Sequence, residues 1–95
     1  MDIYAVQYEL EHGGLISYDL FADVESAVEY IVNMQRINEP TTDKVSITPF
    51  VRNYEEIANV TRAGTPVKFT PITSNGDYGV FYSITGKRLR GKITL

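Results

Sequence analysis

The sequence predicts an α+β fold in which helices pack on one face of a mainly antiparallel sheet. Three observations predict it: alternating apolar and polar residues near both ends, one stretch with helical apolar spacing, and glycine turns between the strands. The predicted order is an N-terminal β-hairpin, one main helix, a third strand, a short second helix and a C-terminal three-stranded antiparallel meander. The 95 residues fit one domain, 1–95, and 43% hydrophobic content is enough for one core.

The first predicted element is a β-hairpin with alternating strands at Ile3–Leu10 and Leu15–Phe21. A three-residue loop pairs Val6 with Leu20, whereas a four-residue loop pairs Val6 with Asp19. Because the three-residue loop places apolar residues opposite one another, we predict this loop. Three tyrosines fall on the apolar face of this hairpin and are predicted core residues: Tyr4, Tyr8 and Tyr18.

Two helices and a third strand are predicted in the middle of the chain. Apolar residues at helical spacing indicate a helix over Val24–Ile37, with Asp23 as its N-cap. A third strand is predicted at Val45–Val51, and Pro49 makes it an edge or broken strand. Asn53 is placed to cap the short second helix.

The last third of the chain is predicted to form the meander around two turns. The Asn75-Gly76 pair is a strong hairpin signal and places Phe69 opposite Tyr82. A second turn at Gly86 and Lys87 would then place Tyr82 opposite Gly91 of a last strand.

Charge divides the chain into two unlike parts. Residues 1–60 carry eleven carboxylates and three bases, a net charge of −8, and residues 61–95 carry six bases and one carboxylate, a net charge of +5. This asymmetry indicates a charged partner or self-complementary packing, so a homodimer is compatible with it.

A basic strip is predicted on the outer face of the meander, around one aromatic residue. Single-stranded nucleic-acid binders combine bases for phosphates with aromatic rings for stacking. The alternatives are a solvated face that protects the sheet against aggregation, or contacts with the acidic half of the same molecule. The strip consists of Lys68, Phe81, Arg88, Arg90 and Lys92.

An acidic flank and two tyrosines are the other candidate partner-binding residues. Glu25 and Glu29 lie one helical turn apart and so share a face. They form either a solvated flank or a patch that meets a basic groove, where spaced carboxylates occupy phosphate positions. Tyr30 and Tyr54 lie off the apolar stripes, and exposed tyrosines are favoured interface anchors.

No recognisable catalytic, cofactor-binding or metal-binding group is found in the sequence, so we do not expect an enzyme. His12 is the only histidine and lies in a glycine turn, and the chain has no cysteine. The N-terminus does not resemble a signal peptide, and no apolar stretch approaches membrane-spanning length. We therefore expect a cytoplasmic protein without a membrane partner.

In size, in its lack of Cys and Trp, and in its lack of catalytic groups, the chain resembles small accessory proteins of phages and mobile elements. These include host-enzyme inhibitors and anti-CRISPR proteins. The resemblance is one of general character and covers no motif, so it assigns no residue a role. It implies a non-enzymatic protein that occupies the surface of a protein or ribonucleoprotein partner. The alternative is a nucleic-acid-binding module that uses the basic meander.

Overall fold

The computed structural model describes residues 2–88 and shows a six-stranded antiparallel sheet with two helices on one face. The strand order is β2-β1-β6-β4-β3, and β5 pairs with β4. The α+β class, the N-terminal hairpin and the antiparallel C-terminal strands are therefore confirmed. The elements are β1 Asp2–Leu10, β2 Leu15–Phe21, α1 Val24–Asn38, β3 Lys44–Thr48, α2 Tyr54–Arg62, β4 Val67–Thr73, β5 Gly76–Asp77 and β6 Val80–Arg88.

Both predicted helices begin at the predicted caps. The backbone N–H of Ser26 donates to the Asp23 carboxylate at 2.7 Å, and the backbone N–H of Glu56 donates to the Asn53 side chain at 2.9 Å. These bonds satisfy N–H groups that have no partner within a helix. The third strand is at the sheet edge, as expected, and ends before Pro49.

One core joins the helices to the inner face of the sheet. Residues from β1, β4 and β6 alternate inward along each strand and meet the apolar stripes of α1 and α2. The most buried members are Val6, Ala27, Ile31, Val67, Tyr82 and Ile84.

The predicted turn at Gly86 and Lys87 is wrong, because β6 runs through both residues without interruption. β1 lies where the last meander strand was expected, and Tyr82 pairs with Tyr8. Gly86 serves a close helix contact instead: a Cβ there would lie 2.8 Å from the carbonyl oxygen of Thr61 in α2. The expected glycine partner of Tyr82, residue 91, lies outside the described residues.

The pairing of β4 with β6 agrees with the prediction, but the turn that follows β4 does not. Phe69 pairs with Tyr82 as expected. The turn lies one residue earlier than predicted, because Thr73 pairs with Gly76 across Ser74 and Asn75. The pairing of β4 with β6 still has the predicted register, because the residues between β5 and β6 compensate for the one-residue displacement of the turn.

The predicted register of the first hairpin is also wrong. The loop has four residues, and Val6 pairs with Asp19 rather than with Leu20. A register shift then occurs between Tyr8 and Glu9. Asp19 therefore faces the helices, where its carboxylate accepts a hydrogen bond of 2.8 Å from the Tyr30 hydroxyl. A polar partner on α1 thus replaces the apolar contact that the prediction assumed.

Candidate functional site

The face of the sheet away from the helices, here called the open face, is covered by no helix of residues 2–88. Its residues alternate with the core-facing residues of each strand, and two of them, Ala5 and Ser83, are also buried. On the hairpin, the open face is made by the cross-strand pairs Ala5–Leu20, Gln7–Tyr18 and Glu9–Leu15.

A cluster of exposed apolar side chains lies on β2, and we call it the β2 patch: Leu15, Ile16, Tyr18 and Leu20. These are four of the nine exposed large apolar residues found in residues 2–88, with 57% of Leu20 and 54% of Leu15 accessible to solvent. An apolar recess of about 180 Å³, lined in part by Leu20 and Ile3, extends the patch onto β1. Clustered exposed apolar residues of this kind mark interaction surfaces.

The predicted register does not reveal the β2 patch, because it places Ile16, Tyr18 and Leu20 on the apolar face of the hairpin and Leu15 on the other face. The alternation along Leu15–Phe21 is visible in the sequence, but the register of the predicted three-residue loop turns Ile16, Tyr18 and Leu20 towards the core. The prediction that three tyrosines belong to the core is wrong for Tyr18, which is exposed. Tyr4 is buried and Tyr8 is half-buried. The four-residue loop, which pairs Val6 with Asp19, places Tyr18 and Leu20 on the open face and is the sequence signal that locates the patch.

Two members of the predicted basic strip lie together on the open face. The Lys68 ammonium is 4.1 Å from the centroid of the Phe81 ring, and both residues line a recess of about 250 Å³. Lys87 is on the same face, 5.7 Å from the Tyr18 ring. Arg88 alternates to the opposite face, which corrects the predicted continuous strip. Its remaining members, residues 90 and 92 (Arg90 and Lys92), lie outside the described residues.

The predicted residues on the helices do not form one surface. Glu29 and Tyr54 line the same recess of about 230 Å³ between α1 and α2. Glu25 is exposed in the first turn of α1. Tyr30 is half-buried rather than exposed, and its hydrogen bond to Asp19 raises the pKa of its hydroxyl.

A second apolar surface lies between the two helices and β3. It is a groove of about 380 Å³ whose floor includes Phe69 of the sheet. Phe50, in the connection that follows β3, is 81% exposed. The groove is lined by Val28, Ile47, Val51, Tyr54, Ile57 and Phe69, together with the polar residues Arg52 and Asn53.

A buried carboxylate joins α1 to the centre of the sheet. Glu39 is 2% exposed and accepts hydrogen bonds from the hydroxyls of Tyr8 and Tyr82, the latter at 3.0 Å. The two tyrosine rings stack with their centroids 4.4 Å apart. Burial raises the pKa of Tyr82 to about 12 and raises that of Tyr8 above its usual range. Because this cluster is buried and its polar atoms are paired, we assign it to stability.

The chain segment that carries the β2 patch is acidic, although the ammonium of Lys87 on β6 lies 5.7 Å from the centroid of the Tyr18 ring. Residues 2–35 contain seven carboxylates and no Lys or Arg. Asp23 directly follows the connection from β2, and its hydrogen bond from the Ser26 N–H lowers its pKa. Asp23 therefore stays ionised at the end of β2 at neutral pH.

Within residues 2–88 no group of His, Cys, Asp and Glu side chains is arranged to hold a metal ion. The two helices described for the chain are both too short and too polar to cross a membrane. Comparison of the chain with protein-family models, with curated proteins and with solved structures finds no match in any of the three.

Proposed function

We propose that this chain is a small non-enzymatic binding protein that occupies the surface of a protein or ribonucleoprotein partner. The observation that carries the proposal is the β2 patch. In this proposal the protein is a cytoplasmic accessory or inhibitory protein of the phage or mobile-element type, such as an anti-CRISPR protein or a host-enzyme inhibitor. It acts by covering a partner surface.

The position of the β2 patch supports binding over a purely structural role. Its side chains add little to the core, because the core lies on the other face of the sheet. An apolar patch on an edge strand also favours aggregation unless something covers it. Covering it releases about 25 cal/mol for each Å² of apolar surface removed from water. A partner that buries the patch therefore gains binding free energy from Tyr18 and Leu20.

Affinity capture with matched variants tests the proposal. Wild-type protein, Leu20→Lys and Ile37→Lys are immobilised and exposed to the same native lysate, and bound proteins are identified by mass spectrometry. Ile37 is the control because it is an equally large apolar residue, 70% exposed, near the other end of α1. We expect a partner that wild type and Ile37→Lys retain and that Leu20→Lys loses at least tenfold. Capture unchanged by Leu20→Lys, with the fold intact, would contradict the proposal.

Nucleic-acid binding by the C-terminal strands is the second candidate. It is favoured by the placement of Lys68, Lys87 and Phe81 on the open face. The footprint is smaller than the sequence suggested, because Arg88 is on the other face and the Lys68 ammonium already lies over the Phe81 ring. The two lysines and one ring that residues 2–88 place on this face make few phosphate and stacking contacts. We therefore rank it below protein binding.

A further inference from the structure

We infer that the outer edge of β2 binds an extended segment of the partner as an added strand, with apolar residues at alternate positions and Lys or Arg at its ends. The inference rests on the proposed function and names the kind of partner that the β2 patch recognises. Strand addition draws affinity from backbone hydrogen bonds and specificity from alternate side chains.

The backbone of β2 is available for such pairing. β2 stands at the end of the strand order, and within residues 2–88 it pairs only with β1. A strand with one neighbour directs alternate N–H and C=O groups outward. Residues 17–21, which are in regular register with β1, are long enough to align with a partner strand of ordinary length.

The edge at β2 has only some of the features that usually prevent pairing: the register shift lies at its first residues, and residues 17–21 are in regular register with β1. Leu15–Phe21 contains no Lys, Arg or Pro. The opposite edge, β3, begins with Lys44 and is followed by Pro49, both of which disfavour strand addition. The one charged residue of β2 is Asp19, and its carboxylate is turned to the helix side by the bond from Tyr30.

The side chains of the edge define what the added strand carries. Tyr18 and Leu20 project from the open face, and neighbouring strands lie about 4.8 Å apart. Alternate side chains of an added strand would therefore contact these two residues across the new pair. Apolar or β-branched residues at these positions bury the most surface and gain cross-strand packing energy.

The charges around the edge define the ends of the segment. Glu11 precedes β2 and Asp23 follows it, both exposed, in a stretch with no base between residues 2 and 35. Lys87 approaches the Tyr18 ring on the open face, but it belongs to β6, which β1 separates from the outer edge of β2. Lys or Arg at the ends of a segment is attracted to these carboxylates, and acidic ends are repelled. A second copy of this chain is disfavoured as the occupant because pairing β2 with itself brings two acidic hairpins together.

The test uses a synthetic peptide, Lys-Val-Thr-Val-Thr-Val-Lys, and the same core with Glu at both ends. Backbone amides of the full chain are followed by NMR during titration, and amide hydrogen exchange is measured at the highest peptide concentration. We expect the Lys-ended peptide to bind at least tenfold more tightly than the Glu-ended one. Alternate amides in Leu15–Phe21 should exchange more slowly in the complex. Leu20→Lys should weaken binding at least tenfold, and Ile37→Lys should leave it unchanged.

Several outcomes would overturn the inference. They are no binding of the Lys-ended peptide to folded protein, equal binding of both peptides, or binding that leaves the β2 amides unprotected. A dimer paired through β2, seen by sedimentation, or an oligonucleotide that protects the same amides would also overturn it. Capture of a partner that depends on Leu20 without protection of β2 amides would leave the proposed function intact. Capture of a partner that does not depend on Leu20 would contradict both the proposed function and this inference.

Discussion

A side chain added at Gly86 is expected to destabilise the fold because α2 packs directly on this glycine. A Cβ at Gly86 would lie 2.8 Å from the carbonyl oxygen of Thr61 and 2.9 Å from its carbonyl carbon. The helix has little freedom to yield, since its residues Ile57 and Thr61 are both buried. Either α2 or β6 must therefore move.

The expected magnitude follows from overpacking, which costs about 1–3 kcal/mol when a well-packed site receives extra carbons. The loss of stability should be near the lower end of this range for Gly86→Ala, and near or above its upper end for Gly86→Val. For a domain of this size, each kcal/mol lowers the melting temperature by about 4–8 °C. Strand propensity works in the opposite direction, because valine is favoured over glycine in strands. A loss of stability is therefore attributable to the contact with α2.

Chemical denaturation of the two variants measures the effect. Thr85→Val is the control, because Thr85 is the preceding residue of β6 and faces the open side. Its change should stay within about 0.5 kcal/mol, as for most substitutions away from the core. An unchanged midpoint for Gly86→Val would refute the close packing of α2 on β6. Equal losses for Gly86→Val and Thr85→Val would refute the assignment of the effect to the helix contact.

Four further predictions concern the buried cluster and the candidate surfaces. Glu39→Ala should cost about 1–3 kcal/mol by leaving tyrosine hydroxyls without an acceptor, and Glu39→Gln should cost less; equal denaturation midpoints for the two variants would contradict this. Burial raises the pKa of Tyr82 to about 12, above the value of about 10 in unfolded chains. The contribution of the neutral hydroxyl to stability is therefore complete below about pH 10 and is lost as the pH rises towards 12. The denaturant concentration at the unfolding midpoint should therefore be lower at about pH 11 than at about pH 9. Equal midpoints at the two pH values would argue against the buried hydrogen bond. Single-stranded oligonucleotides should bind only weakly at about 150 mM salt, where charges are screened beyond about 8 Å, and micromolar binding by fluorescence anisotropy that Phe81→Ala abolishes would promote the nucleic-acid alternative. His12→Ala should leave the biological activity of the protein nearly unchanged, and a large loss of activity with the fold intact would contradict the non-enzymatic proposal.

Sequence patterns predicted the helices well because their determinants are local. The cap at Asp23 and the stripe that includes Ile31 act within a few residues, so α1 begins at the expected residue and ends one residue later. The turn after β4 was placed within one residue for the same reason. The candidate surface was predicted less well, because the apolar face of β2 can point to either side of the sheet.

Sequence alone determined the α+β class, the order of the elements from β1 to β4, both helix caps and the acidic character of residues 2–35. Only the tertiary structure decided that β1 pairs with β6, that β3 pairs with β4 and which face of β2 is exposed. The physical reason is that register depends on contacts distant in sequence: Asp19 turns inward because Tyr30 of α1 donates to it. In the same way, Gly86 lies in a continuous strand because Thr61 of α2 occupies the space beside it and β1 supplies its backbone partner.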